Sequence, residues 1–147
     1  MGSVPICLAS RQAALKDVAQ LLRSGVVDGA RVNVTPECCA AMYDCLRMFN
    51  PFTAMNLPDS DEVEFHVKHR HDCYAEHIHT GTAHSITVSD ALIGSFDGLA
   101  QVMAHEMLHA AQLIKGTATQ SQHNAEYRRL ARTVCKEMCW DIKAFVG

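Results

Sequence analysis

Phe96-Asp97-Gly98-Leu99-Ala100-Gln101-Val102-Met103-Ala104-His105-Glu106-Met107-Leu108-His109-Ala110-Ala111-Gln112-Leu113-Ile114-Lys115-Gly116 is the stretch from which the rest of the chain is read. Leu99, Val102, Met103, Ala110 and Leu113 recur with the period of an amphipathic helix, which starts at Phe96 or Gly98, runs to Lys115 and stops at Gly116. Inside it His105-Glu106-Met107-Leu108-His109 spells H-E-x-x-H. Histidines at i and i+4 stand one above the other on a helical face, so both imidazoles reach a single metal ion. Glu106 lies one position round, close enough to contact a metal-bound water without being a ligand. Neutral imidazoles suit zinc, which keeps a fourth position open for water. In so histidine-rich a chain the pattern arises by chance roughly 3 times in 100, and its flanking Ala104, Ala110 and Ala111 allow close packing around a site.

A third ligand has to come from elsewhere. His123 follows a polar loop, Thr117 to Gln122, and precedes the last helical pattern, so the helix after it would hold it rigidly. Glu126 is the competitor and would make a His2Glu site; His123 is preferred. The metzincin pattern H-E-x-x-H-x-x-G-x-x-H does not apply, because Gln112 and Lys115 occupy its Gly and third His places.

Outward from this core, Asn124 opens a long C-terminal helix with Tyr127, Leu130, Ala131, Val134, Met138, Ile142 and Phe145 on one side. Upstream, Val63, Phe65 and Val67 alternate with Glu64, His66 and Lys68, which reads as a strand. Tyr74 to His79 and Ser85 to Ser89 are two more extended runs, and three such strands suggest a small antiparallel sheet. Ser10 caps a first helix that ends at Gly25, and Val26 to Val34 connects it onward. Thr35-Pro36 starts a second helix, with Cys39, Met42, Tyr43, Leu46 and Phe49 as its stripe and Asn50-Pro51 as its end. No repeat or linker interrupts residues 1–147, so the expectation is one α+β domain.

Composition narrows the function. The 147 residues are 48% hydrophobic and 20% charged, with a net charge of −3, as in an ordinary globular domain and unlike a general nucleic-acid binder. No apolar run is long enough to span a membrane, and Met1 to Ser10 lacks the pattern of a secretory signal, so a cytoplasmic location is expected. Ile6 stands where a myristoylation motif wants Ser or Thr. Seven cysteines, an odd count without a C-x-x-C pair, read as buried thiols rather than as disulfides or ligands.

The chain resembles the SprT-like (Spartan-type) zinc metallopeptidases over roughly residues 43 to 138. The likeness runs through Phe49-Asn50-Pro51-Phe52, Leu57-Pro58, Ile86-Thr87-Val88-Ser89-Asp90-Ala91-Leu92, Ala104-His105-Glu106-Met107-Leu108-His109-Ala110 and His123-Asn124-Ala125-Glu126-Tyr127. The family shows an I-x-L-S-x-x-L strand end, then HEMIHA, then HGPEF. By that resemblance the fold is zincin-like, one Zn2+ is held by His105, His109 and His123, and Glu106 is the catalytic glutamate. It implies a zinc metalloendopeptidase that hydrolyses peptide bonds through a zinc-bound water activated by Glu106, with a protein or peptide as substrate. The strand ending at Ser89 would flank the cleft, and an extended peptide could add to the sheet edge. Asn124 and Ala125 replace the usual Gly and Pro, but Asn caps a helix well and Ala suits its first turn. No counterpart of the bacterial zinc-ribbon tail or of the Spartan DNA-binding extensions is found, so the likeness supports fold and metal site better than substrate. The alternative from another class is a catalytically silent, zinc-stabilised structural or binding protein within a larger assembly.

Other features have plainer readings. His66, His69, His71, His77, His79 and His84 crowd a short span; a hairpin could gather His69, His71, His77 and His79 into a second metal site, but an exposed polar strand face is preferred. Arg128, Arg129, Arg132 and Lys136 read as a solvated helix face before a nucleic-acid stripe. Cys7 reads as an inert thiol rather than a zinc cap. Tyr127 is a candidate for oxyanion stabilisation, with core packing the simpler role.

Overall fold

The computed structural model describes residues 32–81 and 83–147. The first helix expected from Ser10 to Gly25, most of the connection after it, and Cys7 lie outside the described residues. Helix α1, Pro36–Leu46, begins as its sequence dictates: Thr35 accepts from the Cys38 N–H at 3.1 Å and Pro36 occupies the first turn. It ends at Leu46, before the expected Asn50, because Met48 and Phe49 close short turns onto Cys45 and Leu46. Two short 3-10 segments, Phe52–Ala54 and Ser60–Glu62, lead to strand β1, Val63–Lys68. Tyr43 anchors this path by donating its hydroxyl to the Pro58 carbonyl at 2.6 Å.

Strands β2, Ala75–Thr80, and β3, Ala83–Ser89, form a hairpin, yet the sheet order is β1-β3-β2. The expected antiparallel sheet is therefore mixed: β2 pairs antiparallel with β3, while β1 pairs parallel to it, from Val63↔His84 to Lys68↔Ser89. Alternation within each strand fixes which face is buried but not which strand is its neighbour. The order is set by the loop 69–74, which carries the chain from β1 past the end of β3; Tyr74 accepts there from the Ser89 N–H, and Lys68 from that of Asp90. Val63, Phe65, Ile86 and Val88 line the buried face.

Helix α2, Phe96–Lys115, crosses that face. Ser95 caps it by accepting from the Gly98 N–H, and Gly116, at φ 80°, supplies the left-handed residue that ends it. Leu99, Met103, Met107 and Leu108 are fully buried, so truncating any of them costs about 2–5 kcal/mol. The single long C-terminal helix expected from Asn124 is broken in two: α3 spans Ala125–Met138 and α4 spans Ile142–Val146. Cys139 turns left-handed at φ 58°, and Asp141 caps the new helix by accepting from the Ala144 N–H at 3.1 Å. Helical periodicity persists across the break because both pieces bury their apolar side, which hides the turn in the sequence. Among the described residues no helix is long and apolar enough to cross a membrane.

Candidate functional site

Helix α2 presents His105 and His109 one turn apart, and the loop 117–124 returns to bring His123 beside them. One ligand nitrogen from each of the three lies within 4.8 Å of the others, and no further group of this kind exists among the described residues. The orientation of His105 is fixed from a distance. Its Nδ1 lies 2.8 Å from the Phe145 carbonyl of α4. A carbonyl only accepts, so Nδ1 carries the proton and the Nε2 lone pair faces the cluster. Nε2 of His109 is 3.3 Å from Nε2 of His105, and two nitrogens bound tetrahedrally to one zinc ion are about 3.3–3.4 Å apart. His123 Nε2 is buried without a hydrogen-bond partner, a cost that a bound cation would remove. Burial holds all three imidazoles below the ordinary histidine range, His109 down to about 3, so they are neutral donors at pH 7. The residues present therefore fit a zinc ion.

Glu126 does not join them. Its carboxylate takes a bidentate contact from Arg129, at 2.7 and 2.9 Å, which holds its pKa below the usual value. The packing role offered for Tyr127 holds: its ring stacks 4.6 Å from that of His109 and its hydroxyl donates to the His105 carbonyl at 3.2 Å. Tyr127→Phe accordingly costs about 1 kcal/mol of stability. A packing role alone predicts no more than a few-fold change in any peptide hydrolysis, whereas loss of an oxyanion donor would remove about 100-fold or more; denaturant melts and steady-state rates check both.

Glu106 is buried, and that burial, reinforced by the nearby Glu76, pushes its carboxyl up to about 7. The backbone N–H of His77 donates to it. Because Tyr74 turns toward β3, alternation turns the His77 backbone to the free edge of β2. The strand that flanks the cleft is thus β2 rather than the strand ending at Ser89, which is central in the sheet.

The histidine-rich span divides three ways. His69 and His71 sit in the loop after β1, with His69 against Asp90 at 2.8 Å, so the four-histidine hairpin does not form. His66 approaches Glu64 at 3.4 Å. His77, half-buried, and His84, buried, pair through Nε2 and Nδ1 at 2.9 Å, with the exposed His79 packed on His84. Arg128, Arg129, Arg132 and Lys136 are exposed on α3; of the cysteines expected to be buried, Cys39, Cys45 and Cys135 are, while Cys38 and Cys73 are half-buried and Cys139 is exposed at the end of α3.

Two contributors escaped the sequence reading. One is the Phe145 carbonyl, whose only sequence signal is Asp141 as a cap. The other is Gln112, 2% exposed, which donates to Asn124 Oδ1 at 2.9 Å. The same Asn124 oxygen caps α3 at Tyr127, and its Nδ2 donates to the Thr117 carbonyl, so the residue beside His123 is tied to α2.

Burial of these groups makes folding sensitive to acid. His77, lowered to about 4, and His105, His109 and His123 bind fewer protons folded than unfolded, so their stabilisation is present above about 6.5 and lost as pH falls. Glu106 opposes them, since its raised pKa favours folding below 4.5 and ceases to do so as pH rises through about 7. With His84, which burial also lowers, five imidazoles outweigh one carboxyl, and the metal-free protein has a lower denaturant midpoint at pH 5 than at pH 7, as equilibrium unfolding will record.

No curated protein matches the chain. The model of the SprT-like family matches residues 42–144, which takes in the sheet, the histidine-bearing helix, the returning loop and most of the C-terminal turn. With that extent of match over these elements, the chain belongs to the SprT-like family.

Proposed function

We propose that the protein is a zinc-dependent endopeptidase, with one ion held by His105, His109 and His123 and with Glu106 as the catalytic glutamate. The observation that carries this reading is the buried Glu106 carboxylate beside three converging neutral imidazoles, open to a cleft. A site that only stabilised the fold would have no use for a buried carboxyl there. When bound, zinc polarises a carbonyl and acidifies water.

The chain's own residues do the rest. The His77 N–H holds one side of the Glu106 carboxylate, leaving it aimed at the cleft. Glu106 takes the proton of the attacking water and passes it to the departing amine, a two-way role suited to a pKa near neutrality. The Phe145 carbonyl and the Tyr127 ring keep His105 and His109 from turning. An extended peptide would lie along β2, whose outer edge borders the cleft. Protein or peptide is the proposed substrate class. The test pairs metal analysis with a comparison of the parent and Glu106→Gln on an unfolded protein substrate. Absence of bound zinc would sink the reading.

A further inference from the structure

The cleft changes character at Glu106. On one side lies a cavity of about 670 Å³ walled by Ala75, Ile93, Val102, Ala144, Phe145 and Val146. On the other lies a cavity of about 400 Å³ bordered by Glu76, His77, Gln112, Thr119 and Gln122. Ala75, His105, Glu106 and His123 border both. A bond held at Glu106 therefore has its two flanking side chains in unlike surroundings.

Two of the polar side chains at the edge of the apolar cavity are already committed. Asp72 is paired with Arg70 at 2.6 Å, and Gln101 donates to Asp97 at 2.9 Å. A polar substrate side chain entering there would lose water against a mostly apolar wall, whereas an aliphatic or aromatic one would gain contact on several sides. The wall is completed by α4, which the turn at Cys139 folds back over α2.

We infer that the apolar cavity is a specificity subsite that receives a leucine-, methionine- or phenylalanine-sized side chain of the substrate immediately beside the scissile bond. The other half of the cleft takes polar side chains. The assignment rests on the peptidase reading of the same site.

The test uses peptides that differ only at the two positions flanking one scissile bond. Leu, Met or Phe on one fixed side raises kcat/KM about 10- to 100-fold over Ser or Asp there, and the other side shows no such gain. Val102→Phe fills the cavity and shifts the preference to Ala or Gly; Val146→Phe does the same from the facing wall. Zinc content and melting curves verify that each variant is folded. Binding of the Leu and Ser peptides to the Glu106→Gln protein, read by fluorescence anisotropy, needs no turnover. Preferential binding of the Leu peptide without any cleavage by the parent would overturn the peptidase reading while upholding the subsite. Equal binding of the two peptides, or a preference that both filling variants leave unchanged, would overturn the subsite.

Discussion

Glu106→Gln slows cleavage of an unfolded protein substrate by about 10²- to 10⁴-fold, while bound zinc stays at one ion per chain. Glutamine keeps the shape of the side chain and an oxygen to accept the His77 N–H, so the local packing survives. What it removes is the ability to take and return a proton. The fold gains nothing from an ionised carboxyl at this depth, since burial already opposes the charge. The melting temperature is therefore unchanged or slightly raised. Undiminished cleavage with zinc in place would show that another group moves the proton. Zinc without cleavage by either protein would favour a structural role for the ion.

The second large effect separates the two candidates for the third ligand. His123→Ala removes one of three imidazoles, and roughly a quarter to a third of the free energy of a zinc site is about 3–5 kcal/mol, or hundreds- to thousands-fold in affinity. Glu126→Ala loses only an exposed pair with Arg129 and leaves zinc affinity unchanged, because that carboxylate is turned away from the cluster. Competitive titration with a chelating dye reads both variants on one scale. Equal losses would mean that the loop 117–124 rearranges on binding the metal. A loss confined to Glu126→Ala would replace His123 as ligand.

Much of this was legible in the residues. The α2 span, its stop at Gly116 and the His105, Glu106, His109 arrangement followed from one period and one spacing. His123 was reachable because the polar loop and the Asn124 cap gave the return of the chain a natural length. Three things were not legible. Strand order was hidden because alternation is blind to neighbours, so an all-antiparallel sheet was expected although β1 runs parallel to β3. The break at Cys139 was masked by an apolar period that both helices share. The end of α1 at Leu46 was missed because Asn50-Pro51 is the stronger local signal, although the turns had already begun.

The bond from His105 to residue 145 is made by a backbone oxygen. The bond itself takes nothing from the side chain, whose buried ring instead holds α4 against His105 and Trp140, but it does depend on the count of residues that brings the oxygen into place. An insertion or deletion of one residue within α4 before Phe145 would rotate the carbonyl away from the imidazole by about 100° of helix. The orientation of the proposed first ligand is thus specified partly by a length, as well as by the residues that pack α4 in place.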